Sequence, residues 1–415
     1  MKFFINSYFG DNQSIGLLSH IKKRLPYGMD DQWMVFSHYT ERGWTVDNLW
    51  HIFTDFYGGQ YAPLVFLSYL VLYAGFGYDP FYFHMFSLLL HIGCVCLVWK
   101  LISSLLRVHG GVSEKQILYV NFITTLLFAV HPINVEAVAW ISALKVLLYA
   151  FFYLLGLLCY LRYIRTSKIF YYVLTIGCFL CSFWGKEQAV TFPLALLIVD
   201  WFTNRNMKNL EVWSEKMSFL IMAFFFGIIT VLSQGKGPYE MIFPLYQRLL
   251  FGCFALVEYI TKSLLPVNLN FFYPFPIVLG EEPPLHYYLY PVVLLFLMGW
   301  IIAYRNNRYL VFGVLLFLVN LLFSIHLFNM SRHAIVADRY MYLSYVGIAF
   351  LIANGIWWLR KRLSYFKAAL VFLFFYCFFL SVYTFHYTKK WENTTMVKKY
   401  TKEVLEKRLN GSNHL

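Results

Sequence analysis

Long apolar runs constrain this chain more than any other feature. Residues 81–99, 146–160, 217–232, 287–302, 309–327, 340–359 and 366–385 contain one formally charged residue between them, Lys367. Several approach the roughly 20 residues that cross a bilayer as a helix. Lipid offers the backbone no hydrogen-bond partners, so a segment buried in it must be helical or belong to a closed barrel. Barrel strands alternate polar and apolar residues, and these runs do not. Only 13% of the 415 residues are charged, against roughly 25% in soluble domains. The expectation is an all-α, polytopic integral membrane protein.

The basic clusters orient it. Arg107 with Lys115, then Arg162, Arg165 and Lys168, then Arg205, Lys208 and Lys216, then Arg305 and Arg308, then Arg360, Lys361, Arg362 and Lys367 fall between apolar runs. Placing all five inside follows the positive-inside rule. It predicts about ten spans at 81–104, 115–130, 138–161, 169–185, 189–203, 217–233, 287–303, 309–327, 339–359 and 366–386. Residues 63–77 then form a helix lying on or packed at the outer face, and 249–265 is interfacial or re-entrant. The layout is an N-terminal segment and first outer loop (1–80), a transmembrane domain (81–386) and a polar tail (387–415). The outer face collects Asp30, Asp31, His131, Glu136, Lys186, Glu187, Glu258, Lys262, Arg332, His333, Asp338 and Arg339, whereas the inner loops carry plain basic anchors. Chemistry is therefore expected outside the cytoplasm.

The net charge of +13 is spent on such loop clusters, so no nucleic-acid partner is expected. The seven cysteines all lie in apolar runs and read as small buried hydrophobes, Cys178 and Cys181 included. Residues 1–29 contain Lys22-Lys23-Arg24 but no spanning run and no signal-peptide core. Asn329, Asn393 and Asn410 each open a glycosylation triplet, a pattern frequent by chance.

Four constellations carry candidate chemistry. Asp30-Asp31 precedes Gln32-Trp33. A carboxylate there can take a proton from an attacking hydroxyl, or it can simply favour a helix N-terminus. His131-Pro132 through Glu136 breaks two spans, and His131 and Glu136 either line a site or cap the turn. Lys186-Glu187 joins two spans with almost no loop; it is an ion pair of little value if exposed, or Lys186 meets a phosphate. Arg339-Tyr340 opens a late span, where Arg339 grips a lipid phosphate or anchors the interface beside aromatic residues.

These segments have a specific order. Asp30-Asp31-Gln32-Trp33 comes first, then Tyr61-Ala62-Pro63-Leu64 with Leu67-Ser68, then Phe83-His84 and Leu88-Leu89-Leu90-His91. Phe128-Ala129-Val130-His131-Pro132 with Val135-Glu136-Ala137-Val138-Ala139-Trp140-Ile141-Ser142 follows, then Lys186-Glu187 with Pro193, and finally Asp338-Arg339-Tyr340-Met341-Tyr342-Leu343. From about residue 30 to 392 the set resembles the integral-membrane GT-C glycosyltransferases, in particular the transmembrane, tetratricopeptide-containing O-mannosyltransferase-like branch and its bacterial relatives. The resemblance implies an enzyme of a multi-pass membrane, such as the bacterial inner membrane, that takes a sugar from a polyprenyl-phosphate donor on the periplasmic or exterior side. It also implies a catalytic Asp in the first outer loop, matching Asp30-Asp31, and a membrane-lying helix after it. The chain departs from the pattern. It has no span before the acidic pair, Ala62 where Arg is common, no Asp near Val146, and no tetratricopeptide array after residue 392.

The expected reaction is an inverting transfer. Asp30, with Asp31 as the alternative, activates a hydroxyl acceptor on protein, lipid or glycan. Arg339 and then Lys186 stabilise the departing phosphate. His131, Glu136, Glu187 and Tyr340 position substrate. No metal and no cofactor is expected. The competing readings are a flippase or transporter of lipid-linked sugars, whose path would be marked by intramembrane charges, and an inactive relative.

Overall fold

The computed structural model describes residues 30–234, 243–326, 334–392 and 394–412. Lys22-Lys23-Arg24, Arg332, His333 and the triplet opened by Asn329 lie outside the described residues. Within them the protein is an all-α, polytopic membrane protein. Strand is confined to a short antiparallel pairing of Tyr273–Pro274 with Ala334–Val336 and an isolated bridge between Tyr57 and Gln60.

Helix starts follow local chemistry. Asp79 accepts from the Phe81 N–H ahead of Pro80, which opens the Pro80–His109 helix. Ser113 accepts from Gln116 to open Glu114–Val130, and Asn307 accepts from Tyr309 and Leu310 to open Arg308–Leu321. Each side chain satisfies an amide that the first turn leaves unpaired. Proline at the first position loses no needed donor.

A helix occupies each of the ten expected positions. Six described segments are long and apolar enough to cross a membrane: Pro80–His109, Ile141–Thr166, Leu210–Gln234, Leu285–Ala303, Asp338–Lys361 and Leu363–Trp391. A seventh is reached if Glu114–Val130 and Pro132–Ala139, bent by 51°, count as one. The Ile169–Gly185 and Arg308–Leu321 helices are shorter. The expected span at 189–203 resolves into a 3-10 turn, Glu187–Thr191, and the 11-residue helix Phe192–Phe202, only about 16 Å of axis. The expected 138–161 span starts late, because Trp140 adopts an extended backbone after the short Val135–Ala139 helix. Pro63–Phe76 and Leu245–Leu264 are helices.

Packing separates pillars from lipid-facing helices. In the Ile141–Thr166 segment 78% of the apolar window is buried, against 6% in Leu285–Ala303 and 17% in Leu363–Trp391. The pillar packs on Ile169–Gly185 and Pro80–His109. Arg308–Leu321 and Met341–Trp358 approach through Gly313 and Gly347; a Cβ on Gly347 would lie 2.5 Å from the Gly313 carbonyl oxygen. Small residues are what allow such backbone contact where no hydrophobic force drives helices together.

A second cluster positions the acidic segment. Met34, Val35, Tyr39 and Ile52 pack with Val65, Phe66 and Tyr69 of the Pro63–Phe76 helix against Ile141, Leu144 and Leu148 at the head of the pillar. The Tyr69 hydroxyl donates to the Ile141 carbonyl at 2.9 Å. A third cluster joins Trp140 and Leu269 to Tyr387, Trp391 and Val397.

The opposite end of the pillar corrects one expectation. Arg205 and Lys216 are not plain interfacial anchors. Arg205 pairs with Glu215 at 2.6 Å and Asp200 at 3.1 Å. Lys216, fully buried, pairs with Asp200 and reaches the Tyr160 hydroxyl. Charges taken out of lipid and water alike persist only when compensated.

Candidate active site

The acidic pair is split by the fold. Asp30 and Asp31 stand where the Asp31–Met34 helix begins. Asp31 turns inward and is buried. Its carboxylate accepts the Ser142 N–H at 3.0 Å and the Ser142 hydroxyl. Burial pushes its pKa up to about 7; the Ser142 hydrogen bonds oppose the rise and the Asp30 charge adds to it. Asp30 is half-buried, makes no side-chain cap to the helix, and lines a cavity of about 410 Å³.

Two cations reach the same cavity. Lys186 follows the Ile169–Gly185 helix with an extended backbone (φ −160°, ψ 141°), and its ammonium sits 4.6 Å from the centre of the Tyr340 ring. Arg339 lies in the 3-10 turn Asp338–Tyr340. The Glu136 carboxylate, fully buried, accepts the Arg339 backbone N–H at 2.7 Å and pairs with its guanidinium. That guanidinium also lies 5.4 Å from the Trp140 ring and 5.3 Å from the Tyr340 ring. It is close enough to Asp30 to interact electrostatically. Behind it, Asp338 accepts the Tyr273 hydroxyl at 3.0 Å, and Lys262 lies 4.5 Å from the Tyr273 ring.

Of the eight residues singled out in the sequence, Asp30, Lys186, Glu187, Arg339 and Tyr340 line the cavity. Asp31, His131 and Glu136 are not on its wall. The His131 Nδ1 accepts the Ile133 N–H at 3.2 Å, and its ring packs 4.2 Å from Tyr345. His131 thus caps the turn, and Glu136 braces Arg339 from behind.

Sequence reasoning missed Lys145, Gln60, Trp33 and Tyr61 on the same wall. Lys145 opens the pillar and donates to the Gln60 side-chain carbonyl at 3.0 Å. That bond ties the Tyr57–Gln60 turn to a membrane helix. Gly58 in the turn has φ +58°, and a Cβ there would lie 2.5 Å from the Trp33 ring. Glycine tolerates that backbone and lets the indole pack against it. The only signal for Lys145 was a charge at the head of an apolar run.

The wall therefore carries Asp30 and Glu187 against Lys145, Lys186 and Arg339, with Arg339 already compensated by Glu136. Trp33, Tyr61, Trp140, Phe271 and Phe272 supply flat apolar faces. Among the described residues no three His, Cys, Asp or Glu side chains converge as a metal-binding group. Such a site can bind a polar, ring-shaped molecule bearing an anion and hold a carboxylate beside it.

Comparison with known proteins bears on the family. The chain is 32% identical over 189 residues to protein O-mannosyl-transferase TMTC2 of Mus musculus, covering 41% of this chain and 21% of that protein. It is 28% identical over 172 residues to protein O-mannosyl-transferase Tmtc3 of Drosophila melanogaster (37% and 18%). It is 31% identical over 165 residues to protein O-mannosyl-transferase TMTC4 of Homo sapiens (35% and 22%). The similarity to these protein O-mannosyl-transferases covers about two fifths of this chain. The chain spans about a fifth of the length of these curated relatives. No family model matches, and no solved structure matches. The resemblance read from the ordered motifs and the similarity to the O-mannosyl-transferases agree.

Proposed function

We propose that this protein is a membrane glycosyltransferase that moves a sugar from a polyprenyl-phosphate donor to a hydroxyl acceptor on the non-cytoplasmic face. The observation that carries the reading is the presence of Asp30, Lys186 and Arg339 on one cavity wall. The names of the relatives, protein O-mannosyl-transferases, support a glycosyl transfer.

The acceptor hydroxyl attacks the anomeric carbon from the side opposite the phosphate, and its proton passes to the Asp30 carboxylate. The bond from the anomeric carbon to the phosphate oxygen breaks, and that oxygen keeps the electron pair. Configuration at the sugar inverts. A lipid phosphate leaves readily, so one base is enough, a step worth about 10²–10⁴ in rate. Negative charge grows on the departing phosphate. Lys186 and Arg339, held in place before the reaction, stabilise it without reorganisation. Asp30 is a better base than Asp31, because the Asp31 carboxylate is occupied by Ser142 and buried away from the cavity. The aromatic walls suit the apolar faces of a sugar ring.

The test is a transfer assay in membranes that contain the protein and a labelled polyprenyl-phosphate mannose. Asp30→Asn loses transfer while retaining donor binding. Full transfer in this variant would overturn the base assignment. Movement of the lipid-linked sugar between leaflets, without transfer, would favour the transporter reading.

A further inference from the structure

The polar tail docks beside the cavity. Val397, Thr401 and Val404 of the Thr394–Ser412 helix are buried, and spacings of four and three residues put them on one face. Val397 joins Trp140, Leu269, Tyr387 and Trp391 in one apolar cluster, with Phe271 packed against it. Burial of apolar surface accounts for the two valines. A buried hydroxyl needs a hydrogen-bond partner, and the Thr401 hydroxyl donates to the side-chain oxygen of Asn270 at 2.9 Å.

Asn270 is fully buried. Its side-chain oxygen also accepts the Phe271 N–H at 2.9 Å, and its amide donates to the Phe272 carbonyl at 3.2 Å. Its backbone N–H donates to the Tyr273 hydroxyl at 2.6 Å. Residues 270–272 lie outside any helix, and strand pairing begins at Tyr273, so Asn270 carries much of the shape of this strap. Phe271 and Phe272 line the cavity. The Phe271 ring meets the Trp140 ring edge to face, with centroids 5.3 Å apart, and the Arg339 guanidinium lies 5.4 Å from the same indole. The Tyr273 hydroxyl donates to Asp338, the residue before Arg339. A sugar esterified to a phosphate lies directly beside it, so a phosphate at Arg339 sets the sugar against Trp140 and Phe271.

We propose that Thr401 and Asn270 are positioning residues for the donor sugar. The tail helix holds Asn270, Asn270 holds the Phe271–Phe272 strap, and the strap offers the sugar ring an apolar face next to the phosphate. This role rests on the transferase reading and extends it to a helix that, among the described residues, puts no side chain on the cavity wall.

The test is donor kinetics of the full chain in membranes, with labelled polyprenyl-phosphate mannose, for the parent, Thr401→Val, Thr401→Ser and Lys399→Ala. Valine removes the hydroxyl and leaves Asn270 its bonds to Phe271 and Phe272, so the variant folds. Loss of one buried hydrogen bond raises the donor KM about fivefold, while kcat stays within about twofold. Serine keeps the hydroxyl and restores the parent KM. Lys399 is exposed on the tail, and its variant leaves both constants unchanged. Amide hydrogen exchange of the 269–273 peptide, read without substrate, rises in Thr401→Val and not in Thr401→Ser. Unchanged exchange in Thr401→Val overturns the hold of the tail on the strap. Raised exchange with an unchanged donor KM, or a KM raised equally by serine, overturns donor positioning. A parent protein that moves no sugar overturns the transferase reading and donor positioning with it, whereas the exchange result still separates a held strap from a loose one.

Discussion

Glu136 holds Arg339 twice, by the backbone N–H at 2.7 Å and by the guanidinium. One buried carboxylate therefore sets both where the 3-10 turn runs and where its cation points. Glu136→Gln keeps one acceptor and loses the charge. The expected result is a donor KM raised about tenfold or more with a smaller change in kcat, and a lower melting temperature, because the half-buried guanidinium loses the carboxylate that compensates it. Equal donor affinity in the variant and the parent, measured by kinetics over a donor range, would show that Arg339 does not meet the donor.

Asp30 and Asp31 separate by experiment. Asp30→Asn lowers turnover about 10²–10⁴-fold. Asp31→Asn keeps an oxygen for both Ser142 donors, so it retains more than a tenth of the parent rate. Steady-state turnover of the two variants, side by side, checks the assignment. Reversed effects would move the base to Asp31.

Stability against pH reports Asp31. Its folded pKa, raised to about 7 by burial, lies above the unfolded value near 3.8. Between these values the folded chain holds a proton that the unfolded chain has lost, so stability falls as pH rises from about 4 to about 7 and then levels off. Asp31→Asn removes this slope and raises the melting temperature at pH 8 relative to the parent. Thermal melts in detergent at pH 5, 6, 7 and 8 give the comparison. An unchanged slope would mean Asp31 is ionised throughout.

Gly58 has a backbone that side chains strain, and Trp33 occupies the space a Cβ needs. Gly58→Ala therefore costs about 1–3 kcal/mol locally. The turn carrying Gln60 shifts and its bond to Lys145 is lost. Transfer falls at least tenfold while the membrane helices persist by circular dichroism. Normal transfer in Gly58→Ala would place the turn outside the working site.

Lys145→Met tests the cation that sequence reasoning passed over. It removes the 3.0 Å bond to Gln60 and one of three positive charges on the wall. Donor affinity weakens several-fold, because the wall keeps two cations instead of three. Unchanged donor affinity with lowered turnover, read from donor kinetics, would point to a role in holding the turn alone.

The helices were legible because apolar runs have one physical solution in lipid. Lys186 stood out as a charge between two spans with almost no loop, and Arg339 as a charge at the opening of a late span. Other features were not legible. Adjacent residues at a helix start can point to opposite sides, so the sequence does not tell that Asp31 turns to Ser142 while Asp30 faces the cavity. A lysine ahead of an apolar run looks like an interfacial anchor, which hid Lys145. The same ambiguity ran the other way for Lys216, a buried ion-pair member that resembled an anchor. His131 and Glu136 were marked as special, but cap, brace and wall differ only in tertiary position. Helix lengths failed at 189–203, where Lys186 and Pro193 shorten the regular segment.

The contact between Asp31 and Ser142 joins residues 111 positions apart, and that between Glu136 and Arg339 joins residues 203 apart. Synthesis delivers these partners at widely different moments. A nascent chain halted before residue 339 would lack the cation and leave Glu136 without its mate. The cavity wall is thus completed only once residue 339 has been inserted, so a polypeptide stalled earlier presents Asp30 and Lys186 without the guanidinium beside Trp140 and Tyr340.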